Sequence, residues 1–197
     1  MKIALIGYGK MGHMIVAHID ANDKFDLKDA EVAIEFTTPS TAKENILRAW
    51  SYNVPVVCGT TGWNADELLQ EDRALHSRPM LVWKSNFSIG VNIFFDLNKQ
   101  LSQQMIDQPQ YIPSIKEVHH IHKLDKPSGT AKTLADEIIK REVPIESVRE
   151  GEVPGIHIVT WDSPEDTIVL THIAKGRRGF ALGAVLAAEN LYENFTK

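Results

Sequence analysis

The sequence predicts an α/β protein whose first half forms a doubly wound parallel sheet and whose second half forms a separate α+β domain. In the first half, short apolar runs alternate with helical segments, which is typical of βαβ units. A glycine-rich turn follows the first apolar run directly. The alternation ends near Phe87, and the pattern of strands and helices is irregular after that point.

The composition is that of an ordinary globular protein, with 43% hydrophobic and 24% charged residues in a chain of 197. A net charge of −5 argues against a nucleic acid partner. No apolar run approaches the ~20 residues of a membrane helix or forms the core of a signal peptide. The single cysteine, Cys58, cannot form an internal disulfide. We therefore expect a cytoplasmic protein with no membrane partner.

Apolar runs in the first half predict strands over residues 3–6, 14–19, 32–36, 54–58 and 80–83. Helices are predicted over residues 41–51 and 65–76. The first of these follows a start signal in which a hydroxyl can cap the helix and Pro39 suits its first turn.

In the second half, helices are predicted over residues 92–105 and 130–141, and strands over 114–119, 155–161 and 167–172. Because these elements do not alternate regularly, they indicate an α+β domain with a mixed or antiparallel sheet. The last stretch, residues 179–191, is helical and can return to pack on the first domain.

Three glycines after the first strand, Gly7, Gly9 and Gly12, have the spacing of a Rossmann-type dinucleotide-binding turn. Such glycines allow a tight turn, close approach of the backbone to a pyrophosphate and close packing of the next helix. A plain glycine turn is the alternative. The position directly after an apolar strand favours dinucleotide binding.

The spacing after this turn is unusual. The motif normally continues with a crossover helix and an acidic residue ~20 positions downstream, whereas Asp20 follows Gly12 by only eight positions. If residues 14–19 form a strand, no room remains for a crossover of about a dozen residues. The sequence therefore predicts that a segment is missing between Gly12 and Met14, and that Asp20 contacts the adenosine ribose. A solvated carboxylate at a strand end is the alternative for Asp20.

Residues 117–131 contain three histidines and a lysine within five positions, followed by Ser128, Gly129 and Thr130 at the start of a helix. Backbone N–H groups and hydroxyls at a helix N-terminus can hold a carboxylate. Lys123 supplies a positive charge, and a histidine suits proton transfer near neutral pH. The stretch indicates an anion site beside a proton donor.

This stretch has two alternative interpretations. A histidine cluster can bind a metal, but His119 and His120 are adjacent on a predicted strand and so point to opposite faces. The Ser-Gly-Thr run can be a simple helix cap. The neighbouring His and Lys residues favour the anion site.

Residues 117–131 closely resemble the signature of the dihydrodipicolinate reductase family. The resemblance extends to residues 7–12, 35–37, 59–62, 85–92, 154–157 and 177–184. The chain departs from the family pattern in the missing crossover helix and in Lys126, where the family often has a small residue.

The resemblance implies a role for each matching residue. His119 is expected to be the general acid/base with Lys123 as its partner, and His120 is expected to contact the substrate. A carboxylate is expected on Ser128, Gly129 and Thr130. The expected cofactor contacts are Gly7, Tyr8, Gly9, Lys10, Met11, Gly12, Asp20, Gly59, Thr60, Thr61, Ser85, Asn86, Phe87, Ser88, Arg177 and Phe180.

The family reaction is hydride transfer from NAD(P)H to a cyclic imine dicarboxylate, giving tetrahydrodipicolinate for diaminopimelate and lysine biosynthesis. An acidic residue at the ribose favours NADH, with NADPH as the alternative. The implied dinucleotide-binding domain comprises residues 1–88 and 177–197. A substrate-binding and oligomerisation domain, residues 89–176, lies between them in a homotetramer with no metal.

Two rival functions remain open at this point. An aspartate- or homoserine-type dehydrogenase should lack the run from His119 to Thr130. A nucleotide sensor that keeps the fold without catalysis would bind NADH without consuming it.

Overall fold

A computed structural model describes residues 1–19 and 26–196, so that Asp20 lies outside the described residues. The strands are β1 (Ile3–Ile6), β2 (Val32–Glu35), β3 (Val56–Cys58), β4 (Leu81–Trp83), β5 (Ile112–His119), β6 (Ile145–Arg149), β7 (Ile156–Asp162) and β8 (Thr167–Ile173). The helices are α1 (Lys10–Val16), α2 (Ala42–Trp50), α3 (Asp66–Leu75), α4 (Ile89–Gln104), α5 (Gly129–Asp136) and α6 (Arg178–Thr196). A 3₁₀ turn, Leu27–Asp29, precedes β2.

The chain forms two compact units. Unit 1 comprises Met1–Ser88 and Arg178–Lys197, and unit 2 comprises Ile89–Arg177. None of the helices within the described ranges is long and apolar enough to cross a membrane.

Unit 1 contains a four-stranded parallel sheet in the order β1-β2-β3-β4. Its strands are short apolar runs because both faces of the sheet are covered by helices. Helices α1 and α6 pack on one face, where Ile15 and Ala184 meet Ile3 and Ile34. Helices α2 and α3 pack on the other face, where Ile46 and Leu68 belong to the same core cluster as Ala33. The predicted doubly wound parallel sheet is confirmed.

One predicted element of unit 1 is wrong. Residues 14–19 were expected to form a strand. Instead, Met14 and Ile15 lie within α1, and a turn follows this helix directly. Met11 and Ile15 are four residues apart, the spacing of a helical face that packs on the sheet. A short apolar run cannot be distinguished from a buried helix segment by periodicity alone. With α1 as the crossover helix, residues 7–31 provide ample length between β1 and β2.

Unit 2 contains a four-stranded mixed sheet in the order β6-β5-β7-β8. Strand β5 pairs with β6 in parallel and with β7 antiparallel, and β7 pairs with β8 antiparallel. Helices α4 and α5 cover one face, where Phe94 and Leu134 pack on Ile115, Val159 and Trp161. The predicted mixed sheet is confirmed, although the sequence did not predict β6.

Candidate active site

The end of β5 presents two polar side chains on the helix-covered face of the unit 2 sheet. Glu117 and His119 project to the same face because side chains alternate along a strand. Glu117 has no exposed surface, and His119 is 7% exposed. The His119 Nδ1 atom hydrogen-bonds the Glu117 Oε2 atom. This contact holds the imidazole ring against a buried carboxylate.

Arg149 connects this carboxylate to the loop that follows β5. The parallel pairing of β5 and β6 places Arg149 opposite His119. Its Nη1 atom lies 3.0 Å from the Glu117 Oε1 atom. The same guanidinium donates from Nε to the Lys123 carbonyl at 3.1 Å and from Nη2 to the Asp125 carbonyl. One side chain therefore positions both the carboxylate and the loop.

The surroundings of Glu117 keep it ionised. Burial acts to raise the pKa of Glu117, but the nearby Ser147 hydroxyl and the positive charge of Arg149 outweigh burial and lower that pKa. An ionised carboxylate only accepts hydrogen bonds, so the His119 Nδ1 atom must be the donor. Burial lowers the pKa of His119; Glu117 opposes this effect, whereas Lys123 and Arg149 add to it. Near neutral pH, His119 is therefore a neutral imidazole with its proton on Nδ1.

A second histidine, His157, lies beside His119. It pairs with Glu117 across β5 and β7, and the two imidazole centroids are 5.0 Å apart in an edge-to-face arrangement. Burial, followed by the charge of His119, lowers the pKa of His157 to about 4. Gly155 borders the other edge of the His119 ring, since a Cβ atom there would lie 3.1 Å from the Nε2 atom. His157 thus packs against one side of the ring, and the absence of a side chain at Gly155 leaves space beside the Nε2 atom.

The loop after β5 already holds a carboxylate. The Lys123 ammonium lies 2.7 Å from the Asp125 Oδ1 atom. Burial acts to raise the pKa of Asp125, but Lys123 and the backbone N–H of Gly129 outweigh burial and lower that pKa. An ammonium and a backbone N–H therefore act together on one carboxylate at the start of α5.

The side chains expected to contact substrate differ in accessibility. Ser128 is buried and caps α5, with its hydroxyl accepting from the Ala131 N–H at 3.2 Å. Gly129 is exposed, and both Thr130 and His120 are half-buried. The structure thus leaves Gly129, Thr130 and His120 accessible, while the Ser128 hydroxyl is occupied by the helix cap.

A metal ion was the main alternative for the histidines. One ligand atom each from Glu117, His119 and His157 lies within 4.8 Å of the others. However, the Glu117 carboxylate is already paired with the cationic Arg149, and a second cation there would face direct repulsion. The geometry favours a proton-transfer site over a metal site.

In unit 1, the glycine turn leaves no room for side chains at two positions. Gly7 has a φ of +98°, and a Cβ atom there would lie 2.0 Å from the Phe36 carbonyl oxygen. A Cβ atom at Gly12 would lie 2.3 Å from the Gly7 carbonyl oxygen. Gly9, in contrast, has open space around its Cβ position. The turn is tightly packed on the protein side and open on the other, as backbone contact with a ligand requires.

A cavity of about 390 Å³ adjoins this turn, and its lining residues are Gly9, Lys10, Met11, Phe36, Thr37, Pro39, Gly59, Thr60 and Thr61. It brings together the glycine turn and residues 59–61, both predicted from the sequence to bind the cofactor. The segment from Phe36 to Pro39 was not among the predicted contacts.

Glu35, which has no exposed surface, accepts hydrogen bonds from side chains beside this cavity. Its Oε2 atom accepts from the Thr60 hydroxyl at 2.7 Å and from the Cys58 thiol at 3.0 Å. Its Oε1 atom accepts from the Thr37 hydroxyl and from the Asn45 amide at 3.5 Å. Burial raises the pKa of the Cys58 thiol, and the hydrogen bond to Glu35 adds to that effect.

The other expected cofactor residues do not line this cavity. The exposed ones are Tyr8, Ser85 and Arg177. The half-buried ones are Asn86 and Phe180, and the buried ones are Phe87 and Ser88. Phe87 lies in the core of unit 1, edge-to-face with Phe36 at 6.0 Å. Asp20 lies outside the described residues.

Sequence reasoning missed Glu117, Arg149 and His157 as site residues. A signal for Glu117 was present, because a carboxylate two positions before His119 on a strand shares its face. Arg149 and His157 are brought in by strand pairing at long sequence separation, which no local pattern reveals.

Two family profiles match most of the chain. A family profile described as "Dihydrodipicolinate reductase, C-terminus" matches residues 90–196. A second, described as "Dihydrodipicolinate reductase, N-terminus", matches residues 26–87. The chain belongs to the dihydrodipicolinate reductase family. The family and the nicotinamide-dependent reductase function predicted from the sequence are thereby confirmed.

Individual members of the dihydrodipicolinate reductase family cover almost the whole chain. A 4-hydroxy-tetrahydrodipicolinate reductase of Christiangramia forsetii is 43% identical over 220 residues, covering 97% of this chain and 92% of the relative. One from Thermosipho africanus is 34% identical, covering 95% and 84%. A dipicolinate-bound dihydrodipicolinate reductase structure from Paenisporosarcina sp. TG-14 has a TM-score of 0.75 at 22% identity, covering 98% and 95%. This last likeness supports the fold.

The first of these alignments is longer than the chain itself. It extends over 220 positions, more than the 197 residues of this chain. The Christiangramia forsetii reductase therefore has residues without a counterpart here. The N-terminal profile of the dihydrodipicolinate reductase family begins its match at residue 26.

Proposed function

We propose that His119 is the proton donor of this reductase and that unit 2 binds the dicarboxylate substrate. The observation that carries the proposal is the anchored ring of His119. Glu117 occupies its Nδ1 atom, so proton exchange with a substrate is left to the Nε2 atom. Proton transfer from a positioned side chain contributes about 10²–10⁴-fold to a rate.

The substrate carboxylate is held by Lys123, Gly129 and Thr130 in this proposal. Support comes from Asp125, whose own carboxylate is bound by the Lys123 ammonium and favoured by the Gly129 N–H. A substrate carboxylate of the same chemistry can replace it. His120, half-buried near the start of this loop, is expected to contact the substrate as well.

The chemistry needs two transfers. A bound nicotinamide cofactor supplies the hydride to C4 of the unsaturated ring. The His119 Nε2 atom first takes up a proton from solvent and then delivers it to the neighbouring carbon, and the ionised Glu117 stabilises the imidazolium while both ring nitrogens are protonated. Because His157 stays neutral at physiological pH, it adds no repulsion to a protonated His119.

The cofactor is proposed to lie on the glycine turn and in the cavity beside it. The glycines fit such a group because Gly7 and Gly12 permit the tight turn and Gly9 leaves its backbone open. NADH is the proposed cofactor, on the ground of Asp20 in the sequence. NADPH is the alternative, because Lys28 and Arg48 line a cavity of about 480 Å³ at the end of β1 and could accept a 2′-phosphate.

Assembly into a homotetramer in the cytoplasm is also proposed. The open face of the unit 2 sheet carries three exposed apolar side chains, Ile112, Val169 and Ile173. Apolar side chains on an uncovered sheet face are typical of association surfaces. Light scattering on the purified protein would report the oligomeric state directly.

Oxidation of NADH in the presence of freshly generated substrate tests the proposed function. We expect turnover with NADH, and a comparison of KM values for NADH and NADPH assigns the cofactor preference. NADH binding without oxidation would contradict the proposal and favour the nucleotide sensor.

A further inference from the structure

Glu117 is a buried charge that contacts two groups of the proposed site. Its two oxygens are divided between the His119 Nδ1 atom and the Arg149 guanidinium. Arg149 in turn binds the carbonyls of Lys123 and Asp125. One carboxylate is thus linked directly to the His119 ring and, through one arginine, to the backbone of the loop that carries Lys123.

Stability alone does not explain why the Glu117 charge is buried in the sheet. A buried ion pair loses its hydration, and well-packed apolar residues of similar volume often give an equally stable fold. Along the same face of β5, the neighbouring position is the apolar Ile115, which packs in the core. A glutamate two residues further on therefore calls for an explanation other than packing.

We propose that Glu117 is a positioning residue that fixes the His119 tautomer through Nδ1 and, through Arg149, holds the loop that carries Lys123. This inference rests on the proposed role of His119 as proton donor. Glu117 does not touch the substrate. It determines that the Nδ1 proton stays on the protein side, so that the Nε2 atom exchanges protons with the substrate.

The groups around His119 define what a change at Glu117 should do. They are Glu117 on β5, Lys123 in the following loop, Arg149 on β6 and His157 on β7. Glu117 is the one among them that acts to raise the pKa of His119; burial, Lys123 and Arg149 lower it. Removing the carboxylate charge should therefore lower the pKa of His119 further.

The first test is nitrogen-15 NMR of the His119 ring in the wild-type protein at neutral pH, assigned by comparison with His119→Gln. We expect a neutral ring protonated on Nδ1. A ring protonated on Nε2 would overturn the inference without any activity measurement, and so independently of the proposed function.

The second test is kinetic, with Glu117→Gln compared with Glu146→Gln. Glu146 is the matched control because it lies on the adjacent strand and pairs with Lys116 at 3.0 Å, with both side chains exposed. For Glu117→Gln we expect kcat to fall about 100-fold, within the range of general acid catalysis, with the KM for NADH unchanged. The alkaline limb of the kcat profile should move to lower pH by about one unit.

Glu146→Gln should match the wild type in all these quantities. If Glu117→Gln kept kcat within threefold of the wild type with an unshifted pH profile, the inference would be wrong. Should Glu117→Gln not fold, Arg149→Lys serves instead, since lysine cannot bridge the carboxylate and both carbonyls. It should lower kcat and raise the substrate KM while leaving the KM for NADH unchanged; wild-type kinetics would contradict the role of Arg149.

Discussion

Among the residues that the structure describes, each unit contains one fully buried glutamate, and the two are held in different ways. Glu117 in unit 2 is surrounded by a guanidinium and an imidazole. Glu35 in unit 1 accepts from hydroxyls, a thiol and an amide. Within residues 1–19 and 26–196, Glu35 forms no ion pair.

This difference matches what each carboxylate has to position. Glu117 orients side chains whose charge changes during proton transfer, so charged partners are useful there. Glu35 orients backbone loops: the Thr60 hydroxyl that it binds also accepts the Thr37 N–H at 2.8 Å. The Thr60 carbonyl accepts from Trp63 and Trp83, each at 2.8 Å. Neutral donors suffice to shape a cavity that takes no part in proton exchange.

The largest expected effect distinguishes the two carboxylates by stability. Glu117→Gln should lower the free energy of unfolding by about 3–5 kcal/mol, because the half-buried Arg149 guanidinium loses the buried carboxylate that neutralises it. Glu35→Gln should cost only about 1–3 kcal/mol, because one acceptor is lost among neutral donors. Urea denaturation of both variants measures the difference. Equal losses would show that the charge of Arg149 is not the deciding factor.

The next effect concerns pH, which should change the free energy of unfolding through the protonation of His157. The pKa of His157 is lowered from 6.5 to about 4 in the folded protein, so the unfolded chain binds a proton first as pH falls. The corresponding stability is present above pH 6.5 and is lost towards pH 4, amounting to about 3 kcal/mol. His157→Gln should reduce the slope of unfolding free energy against pH in this window. An unchanged slope would contradict the buried, neutral state of His157.

A smaller effect is expected on cofactor binding when Glu35 is changed. Glu35→Gln should raise the KM for NADH about tenfold, which corresponds to about 1.4 kcal/mol, because Thr60 and Thr37 lose their common acceptor. The kcat at saturating NADH should stay close to that of the wild type. Glu44→Gln, an exposed change on α2, is the control. A fall in kcat with an unchanged KM would place Glu35 in the chemistry and remove the contrast with Glu117.

The smallest effect is expected at an exposed ion pair beside the unit 2 site. Lys116 and Glu146 lie on β5 and β6, one residue before Glu117 and three before Arg149, and their separation is 3.0 Å. Exposed ion pairs contribute about 0.2–1 kcal/mol to the free energy of unfolding, so Glu146→Gln should shift the midpoint of urea denaturation only slightly. A loss comparable to that of Glu117→Gln would mean that burial does not explain the difference between the two pairs.

Parts of this arrangement were predictable from local sequence and parts were not. The apolar runs of β1 and β2 and the tight glycine turn follow from patterns within a few residues. The run after Gly12 was misassigned as strand because Met14 and Ile15 fit a buried strand and a helix face equally well. Strand β6 has few apolar residues and went unnoticed, and Arg149 was missed with it.

In unit 2, the motif from His119 to Thr130 predicted the proton donor and the carboxylate site together. The structure adds Glu117, Arg149 and His157 through the register of three paired strands. The roles of the sequence-derived site residues remain predictions.

The most direct test of the account is the turnover of His119→Gln in the coupled NADH oxidation assay, with NADH binding measured on the same sample. We expect kcat to fall about 10³-fold while the affinity for NADH stays at the wild-type value. Wild-type turnover in this variant would contradict the assignment of His119 as the proton donor, and with it the role given to the buried carboxylate that holds its ring.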